Sequence, residues 1–291
     1  MKIKIHGKEN FAKMRAAGLL AAQILDFITP YVKEDVTTDE LNILCHNKII
    51  ENGAIPAPLN YKGPLNYKGF PKSICTSVNH VVCHGIPDEK PLKDGDIVNI
   101  DVTVILDGWY GDTSRMYFVG NPSIKAKRLT QVTYDAMMLG IAEVKPGASL
   151  WNVGNAIQNY AEKNGFSVVR DFCGHGIGKI FHTDPNVPHY RDTILKEEKT
   201  KVILQEGMFF TIEPMINEGN WKTKFYQVDK FAPDQEAEKL KAEWVATTTD
   251  RNHAGKKSLS AQFEHTIGVT KDGFEIFTTS PKGLDFPPYK I

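Results

Sequence analysis

The sequence predicts an α+β fold in which two similar helix-helix-strand units face each other across a pseudo-two-fold axis. Three observations carry this prediction: a β-hairpin at 98–117, a pattern in the first half that recurs at a constant offset in the second, and another hairpin at 258–278. Strand segments in these three places alternate with helical segments, which is typical of an α+β protein.

The composition is that of an ordinary soluble globular protein. The 291 residues are 41% hydrophobic, and 35 basic residues balance 35 acidic ones. Zero net charge argues against nucleic-acid or membrane binding as the main task. The N-terminus has no signal-peptide pattern, and no apolar run approaches the roughly 20 residues of a transmembrane helix. Four cysteines without a C-x-x-C pair favour free thiols and a cytoplasmic location.

Two helices open the chain. Apolar residues recur at helical spacing over 9–27, and Thr29-Pro30 closes this segment. Thr37 and Glu40 form a capping box, in which each residue satisfies a free backbone donor at a helix start. The second helix therefore begins there and ends at Asn52-Gly53.

A loop with an internal duplication follows. Within residues 54–71 the hexapeptide PLNYKG occurs twice, at 58–63 and at 64–69. We expect one copy to be an inserted duplication. The β-branched residues of 72–87 then predict a strand or two.

The hairpin at 98–117 turns at Asp107-Gly108, a dipeptide that suits the positive φ angles of a two-residue type I′ turn. Residues facing each other then have numbers that sum to 215. Asp101, Thr103 and Asp112 project from one face, and the two aspartates are diagonal neighbours roughly 7 Å apart. The other face is apolar and carries Val98, Ile100, Val102 and Val104.

Two carboxylates at that distance on a sheet face repel each other unless a cation lies between them. One divalent ion, or a pair about 3.5 to 4 Å apart, fits this arrangement. The hairpin alone leaves open the alternative that both aspartates face water. A three-residue loop would change the register, and the two aspartates would then not share a face.

The second half repeats the pattern of the first. Helices are predicted at 123–144 and from Ser149 to Asn164-Gly165, with a strand at 166–169. Two predicted strands, LKDGDIVNID at 92–101 and LQEGMFFTIE at 204–213, are separated by the same number of residues as Thr37 and Ser149. The helical matches alone could arise by chance; the strand match predicts that Asp101 and Glu213 lie across a shared axis.

The last hairpin, 258–278, turns at Lys271-Asp272-Gly273 and carries Glu264 on its first strand. The preceding polar stretch, 219–257, contains a short helical pattern at 233–244. We interpret it as an insertion, most simply a solvated flap, within a single domain that spans 1–291.

Five side chains should therefore meet near the centre of the molecule. They are Asp101, Asp112, His175, Glu213 and Glu264. Hard oxygen donors with one nitrogen suit Mn, Fe(II), Co or Zn, and five ligands that include bridging carboxylates suit two ions.

These motifs resemble those of a known family. The segments IDVTVILDGWYGDTSRMY, VVCHGIPD, CGHGIGKIFHTDP, EGMFFTIEPM and SLSAQFEHTIGVT are similar to the five signature blocks of type I methionine aminopeptidases. That family has the pita-bread metallopeptidase fold, with a central curved antiparallel sheet. The resemblance runs from the first helix to about Thr278 in family order.

The resemblance implies a set of site residues. Asp101 and Asp112 would be metal ligands, with Asp112 and Glu264 bridging two divalent ions. His175 and Glu213 would complete the shell of the second ion. His84 and His182 would contact the substrate, and the methionine pocket would be lined by Tyr67, Phe70, Cys75, Phe181 and Trp244. Tyr61 and Trp221 stay open as rivals of Tyr67 and Trp244.

The implied activity is removal of the initiator methionine from nascent proteins and peptides that carry a small second residue. Two cations would lower the pKa of a shared water towards about 7, and the hydroxide would attack the first peptide bond. Glu213 would relay the proton, His182 would stabilise the oxyanion, and His84 would hydrogen-bond the peptide nitrogen. We expect a monomer that contacts the ribosome transiently and binds neither membranes nor specific nucleic acids.

Two alternatives remain. A proline-specific aminopeptidase or prolidase would share the fold and metals, but such enzymes usually carry a further N-terminal domain. A non-catalytic pita-bread module that binds RNA or protein would have lost ligands and would present a basic face. Outside these motifs, His80, His189 and His253 are expected to be solvated.

Overall fold

The structure is a computed structural model that describes residues 3–63, 67–197 and 201–289. The second copy of the duplicated hexapeptide, 64–69, therefore lies partly outside the described residues. The α-helices of the described residues are α1 (Lys8–Ile28), α2 (Thr38–Glu51), α3 (Ile124–Ala142), α4 (Leu150–Lys163) and α5 (Gln235–Trp244). Short 3-10 turns span Thr29–Tyr31 and Ile194–Lys196.

The strands are short except for the central hairpin. They are β1 (Ile55–Pro56), β2 (Cys75–Val78), β3 (Val81–Cys83), β4 (Ile97–Leu106), β5 (Trp109–Phe118), β6 (Ser167–Val168), β7 (Gly174–Gly176), β8 (Thr183–Val187), β9 (Phe209–Ile212), β10 (Met215–Asn217), β11 (Thr223–Phe225), β12 (Ala246–Thr248), β13 (Ser260–Gln262), β14 (His265–Val269) and β15 (Phe274–Ile276).

The predicted helix starts are confirmed by their caps. The Thr37 side chain accepts a hydrogen bond from the Glu40 backbone N–H at 3.1 Å, and Glu40 accepts one from the Thr37 backbone at 2.7 Å. The Ser123 and Ser149 side chains cap α3 and α4 by accepting a backbone N–H from the first turn of each helix. Side-chain caps satisfy donors that have no partner within the helix, so they fix where each helix begins.

The central hairpin has the predicted register. Leu106 faces Trp109 and Thr103 faces Asp112, so paired residue numbers sum to 215 along all of β4 and β5. Asp107 and Gly108 both have positive φ, +50° and +77°, as a type I′ turn requires. The apolar face packs on α1 and α2, which leaves the aspartates on the opposite face.

The repeat between the two halves is present in the backbone hydrogen bonds. The Leu92 N–H donates to the Val36 carbonyl at 2.9 Å, and the Leu204 N–H donates to the Ala148 carbonyl at 2.9 Å. An isolated bridge joins Thr37 to Pro91, and its counterpart at the same offset joins Ser149 to Ile203. Chance matching of sequence letters does not produce equivalent hydrogen bonds, so the repeat is structural.

The two larger sheets meet at the repeat axis. One contains β1, β4, β2 and β5, and the other has the order β15-β14-β9-β7-β8. Ser114 and Glu264 exchange backbone hydrogen bonds of 3.4 and 3.1 Å between the sheets. Within its own sheet, Ser114 faces Asp101. If the register of β14 against β9 is extended by one residue, Glu264 likewise faces Glu213. The bridge therefore lies where the two halves meet symmetrically.

The prediction of one continuous strand before the last turn is wrong. The segment divides at Phe263-Glu264 into β13, which pairs with β10, and β14, which pairs with β9 and β15. Glu264 leaves its own ladder because its backbone bonds to Ser114, and its carbonyl also accepts the Thr113 hydroxyl at 2.7 Å. The hairpin between β14 and β15 is confirmed.

Each half has its own apolar cluster. One cluster joins α1 and α2 to the hairpin, and the other joins α3 and α4 to β9 and β14. Leu41 in α2 and Val153 in α4, which are equivalent positions of the repeat, are both fully buried. Burial of these equivalent faces supplies the main free energy of folding for each half.

The segment 219–257 is tied to the rest of the chain by a strand. Its β12 pairs with β3 and with β11 in a three-stranded sheet. The predicted short helix is α5, capped by Asp234, and it ends at Trp244.

All four cysteines are free thiols, as predicted. In the described part of the chain, each helix is too short or too polar to cross a bilayer.

A buried ion pair joins the first helix to the hairpin and the C-terminal segment. Arg115 on β5 and Asp26 on α1 are 1% and 2% exposed, and Nη1 lies 2.5 Å from Oδ1. The Ser280 hydroxyl donates to the same Asp26 oxygen at 2.7 Å. This carboxylate therefore connects three elements that are distant in the sequence.

Replacing Asp26 by Ala leaves the Arg115 guanidinium buried without its carboxylate. We expect a loss of about 3 to 5 kcal/mol in the free energy of unfolding, measured by urea denaturation. Glu51→Ala, which breaks the exposed Lys48–Glu51 pair, is the control and should cost less than about 1 kcal/mol. Equal losses in the two variants would contradict this assignment.

The repeat offers a matched pair of glycines. Gly95 and Gly207 have φ of +89° and +91°, but an added Cβ at Gly95 lies 4.0 Å from its nearest neighbour, whereas at Gly207 it lies 2.3 Å from the His6 carbonyl oxygen. Gly95→Ala should cost about 1 to 2 kcal/mol from backbone strain alone. Gly207→Ala should cost about 1 to 3 kcal/mol more because of the clash. Thermal and urea unfolding of both variants will measure the difference.

Candidate metal centre

The five predicted ligands converge from different strands. Asp112 lies on β5, His175 on β7, and Glu264 between β13 and β14, and one ligand atom from each lies within 4.8 Å of the others. The His175 Nε2 is 3.6 Å from an Asp112 oxygen and 3.5 Å from an oxygen of Glu213, which follows β9. These four side chains therefore surround a common volume.

Asp101 joins this group through the hairpin register. It is the diagonal neighbour of Asp112, since Asp101 faces Ser114 and Asp112 faces Thr103. Its Oδ1 atom is buried and has no hydrogen-bond partner in the described residues. Burial raises the pKa of Asp101 well above its usual value, and the negative charges of Asp112 and Glu213 raise it further. A buried carboxylate oxygen without a donor calls for a cation.

The carboxylates of the centre repel one another. Burial, with the charges of Asp112, Glu213 and Asp101, raises the pKa of Glu264 well above its usual value. Burial also raises the pKa of Glu213 to about 7, although His175 and a hydrogen bond from Thr211 oppose this shift. No lysine or arginine in the described ranges forms an ion pair with any of the four carboxylates. The donor set and its repulsion fit one or more divalent cations.

Neighbouring hydroxyls orient these ligands. The Thr103 hydroxyl donates to Asp112 at 2.7 Å, and the Thr211 hydroxyl donates to Glu213 at 2.7 Å. The same Thr211 oxygen accepts the His175 backbone N–H at 3.0 Å. Hydrogen bonds of this kind fix ligand orientation around a metal and tune its affinity.

The expectation that His189 is solvated is wrong. It is 1% exposed, and its Nε2 accepts the Glu213 backbone N–H at 3.0 Å. Burial lowers the pKa of His189 to about 3, as does the neighbouring His175, so the ring stays a neutral acceptor. A single histidine after β8 gives no periodic signal in the sequence, so its contact with Glu213 could not be read there. His80 is also half-buried, whereas His253 is exposed as expected.

Four of the five predicted pocket residues belong to one apolar cluster beside the metal centre. The fifth, Phe181, lies outside this cluster and packs against Tyr61 and His182. Trp244 packs edge-on against Tyr67 and Phe70, at ring-centroid distances of 5.3 and 5.4 Å. Cys75 belongs to the same apolar group and faces Asp101 in the register of β2 with β4. The Trp244 indole N–H donates to the Lys68 carbonyl at 3.0 Å, which holds α5 against this loop. Trp221 lies elsewhere, stacked on Arg170 at 4.8 Å.

The two predicted substrate histidines contact different parts of the site. The His182 ring is 4.2 Å from the His175 ring and 4.0 Å from the Phe181 ring, at the solvent-exposed side of the centre. His84 packs against Trp244 at 6.4 Å. Desolvation lowers the pKa of both histidines, which favours neutral imidazoles that can donate or accept hydrogen bonds.

A strained backbone holds His84 in place. Its φ is +55°, and a Cβ on the following Gly85 would lie 2.0 Å from the Thr76 carbonyl oxygen. The ring also packs against Phe172, a contact that no sequence pattern indicated. Positive φ at a non-glycine residue is often found where a functional side chain must be aimed.

Tyr61 and Tyr67 both contact Trp244, at 6.5 and 5.3 Å. Only Tyr61 also reaches His182: its hydroxyl lies 2.7 Å from Nδ1. The structure therefore brings both tyrosines to the site in different positions. The exact repeat of the hexapeptide was the one sequence signal that pointed to Tyr61.

Comparison with known proteins gives a consistent result. Residues 12–271 match the model of metallopeptidase family M24. A methionine aminopeptidase from Rickettsia prowazekii is 63% identical over 289 residues, 99% of this chain and all of that protein. The crystal structure of methionine aminopeptidase from Rickettsia prowazekii superimposes with a TM-score of 0.82, covering 95% of this chain and 100% of the other.

A more distant structure shares the fold alone. The crystal structure of a prolidase from Pyrococcus horikoshii OT3 gives a TM-score of 0.64 at 19% identity, and the match covers 94% of this chain but 63% of the prolidase. The fold of this chain is thus the pita-bread fold that these peptidases share, as the sequence predicted. The chain belongs to metallopeptidase family M24.

Proposed function

We propose that the chain is a methionine aminopeptidase that removes the N-terminal, initiator methionine from nascent proteins and peptides. The observation that carries this is the cluster of Asp112, His175 and Glu264 lying beside an apolar aromatic pocket. Relatives that bear this enzyme name match the chain over nearly their whole length.

Two divalent ions, Co, Mn, Fe(II) or Zn, would be held by Asp101, Asp112, His175, Glu213 and Glu264. Ligand atoms of Asp112, Glu264 and His175 lie within 4.8 Å of one another, which suits joint binding of the ions. Bound there, the ions would supply Lewis acidity that lowers the pKa of a water towards about 7. The unpartnered Asp101 oxygen and the repulsion among the carboxylates support this assignment.

Three side chains serve the reaction. Glu213 would take up the proton that the attacking water releases, since an oxygen of its carboxylate lies within the centre, 3.5 Å from the His175 Nε2. His182 stands at the open side of the centre, where its ring can donate to the oxyanion that forms from the substrate carbonyl. His84 packs against Trp244 at 6.4 Å, where it would hydrogen-bond the peptide nitrogen.

The pocket beside them suits a methionine side chain. Phe70, Cys75 and Trp244 are only 2%, 7% and 8% exposed, and Tyr67 and Phe181 complete its aromatic surface. An unbranched thioether packs well against aromatic rings and gains favourable sulfur contacts with them. Burial keeps the Cys75 thiol protonated, since it raises the pKa of this group well above its usual value.

Two other functions are less well supported. The similarity to the prolidase is limited to the fold, because the two sequences are only 19% identical. A binding module without catalysis would have no reason to retain carboxylates whose repulsion costs stability.

We further propose a cytoplasmic monomer that contacts ribosomes transiently and forms one domain. In it, 219–257 is an insertion that contributes Trp244 to the pocket.

Removal of the ions should abolish the activity. Treatment with a chelator is expected to lower the cleavage of Met-Gly-type peptides at least about 100-fold, and Co, Mn, Fe(II) or Zn should restore it. Asp112→Asn and Glu264→Gln should lose bound metal as well, measured by elemental analysis of the folded protein. Glu51→Gln, far from the centre, is the control for metal content. Full cleavage by chelated protein would contradict the proposal.

Trp244→Ala tests the pocket. We expect kcat/KM for methionyl peptides to fall at least about 10-fold, mainly through KM, because a large apolar contact is removed. Trp221→Ala should leave both constants within twofold, since that ring stacks on Arg170 outside the cluster. Preference for Xaa-Pro peptides over Met-Gly peptides in the unmodified protein would support the prolidase alternative instead.

A further inference from the structure

The first copy of the duplicated hexapeptide contributes a tyrosine that the reaction described above does not use. Tyr61 lies in 58–63, where the chain bends back through Asn60 at a φ of +65°. The bend is closed by two backbone hydrogen bonds of 2.8 Å between Asn60 or Tyr61 and Phe70. Tyr61 is therefore held against the pocket loop.

The Tyr61 side chain is directed at His182. Its hydroxyl lies 2.7 Å from Nδ1, and its ring lies 5.2 Å from the imidazole with the two planes inclined by 27°. Phe181 and Trp244 pack against other parts of the same phenol ring, at 4.9 and 6.5 Å. A ring fixed on three sides has lost the freedom that an exposed tyrosine keeps, so the hydrogen bond costs little further entropy.

The direction of this hydrogen bond is linked to where the imidazole carries its proton, because the phenol can donate to Nδ1 or accept from it. A neutral imidazole has one N–H, and the nitrogen without it can only accept. When the phenol donates to Nδ1, the proton lies on Nε2. Nε2 is then the donor that faces away from Tyr61. His182 makes no other side-chain hydrogen bond within the described ranges, so Tyr61 alone can set this choice.

We propose that Tyr61 is a positioning residue that donates to the Nδ1 of His182 and thereby fixes the Nε2–H tautomer and the ring orientation for oxyanion stabilisation. The inference rests on the proposed peptidase reaction. Partial burial raises the pKa of Tyr61 and keeps the phenol protonated, in agreement with its role as donor.

The two copies of the hexapeptide then have different tasks. Tyr67 packs edge-on against Trp244 at 5.3 Å, and its backbone N–H donates to the Lys62 carbonyl at 2.8 Å. It is a wall of the apolar pocket. Tyr61 contacts the same indole at 6.5 Å and hydrogen-bonds the histidine. The duplication has added a hydrogen bond to the site without removing the pocket residue.

Steady-state kinetics separates positioning from pocket packing. Tyr61→Phe keeps the ring and removes only the hydroxyl, so we expect kcat on a Met-Gly peptide to fall about 10-fold while KM stays within twofold. Tyr31→Phe removes the hydroxyl of a tyrosine on the outer surface and should leave both constants unchanged. An unchanged kcat, or a rise in KM alone, in Tyr61→Phe would overturn the proposal.

Nitrogen-15 NMR of the zinc-loaded full chain tests the tautomer without any assay of activity. The His182 signals, assigned by their loss in His182→Asn, should show Nε2 protonated in the unmodified protein and a mixture of tautomers in Tyr61→Phe. Tyr67→Phe should leave them unchanged. An Nδ1–H tautomer in the unmodified protein would overturn the proposal. If no methionyl peptide is cleaved, the proposed function fails, whereas the NMR result still decides the Tyr61 bond.

Discussion

Electrostatic repulsion among Asp101, Asp112, Glu213 and Glu264 is the constraint on which the rest of this structure depends. The two halves of the chain bring these carboxylates together where Ser114 and Glu264 exchange backbone hydrogen bonds. Such a grouping opposes folding until a cation enters, because charges withdrawn from water cost several kcal/mol each. The apolar clusters of the two halves supply the opposing free energy. The centre is therefore maintained by packing that lies outside it.

The same arrangement explains why so many polar contacts surround the ligands. The hydroxyls of Thr103 and Thr211 each donate to a carboxylate of the centre, and the Glu213 backbone N–H donates to His189. The buried His189 belongs to this group as a neutral acceptor. Aromatic rings from the loop before β2 pack against Trp244 of α5 in the proposed pocket, so the segment 219–257 contacts the surroundings of the centre through Trp244.

Much of this could be predicted from the sequence because the signals are local. The Asp107-Gly108 turn fixes the hairpin register, and from that the shared face of Asp101 and Asp112 follows. Capping residues fix the helix starts in the same way. The division of the last strand at Glu264 and the burial of His189 could not be predicted, since both are set by contacts with residues distant in the sequence. The choice between Tyr61 and Tyr67 required a structure too, because the two copies of the hexapeptide are identical.

The location of the ligands on both halves has a consequence for the apoprotein. An ion that binds only the folded chain adds RT ln(1 + [M]/Kd) to its stability, about 2.7 kcal/mol at a hundredfold excess over Kd. Hydrogen bonds from Asn99, Thr113 and Thr266 join the halves beside the Ser114–Glu264 bonds. An ion held by ligands from both halves would add its binding free energy to this cohesion, whereas the apolar interior of each half does not depend on the ion.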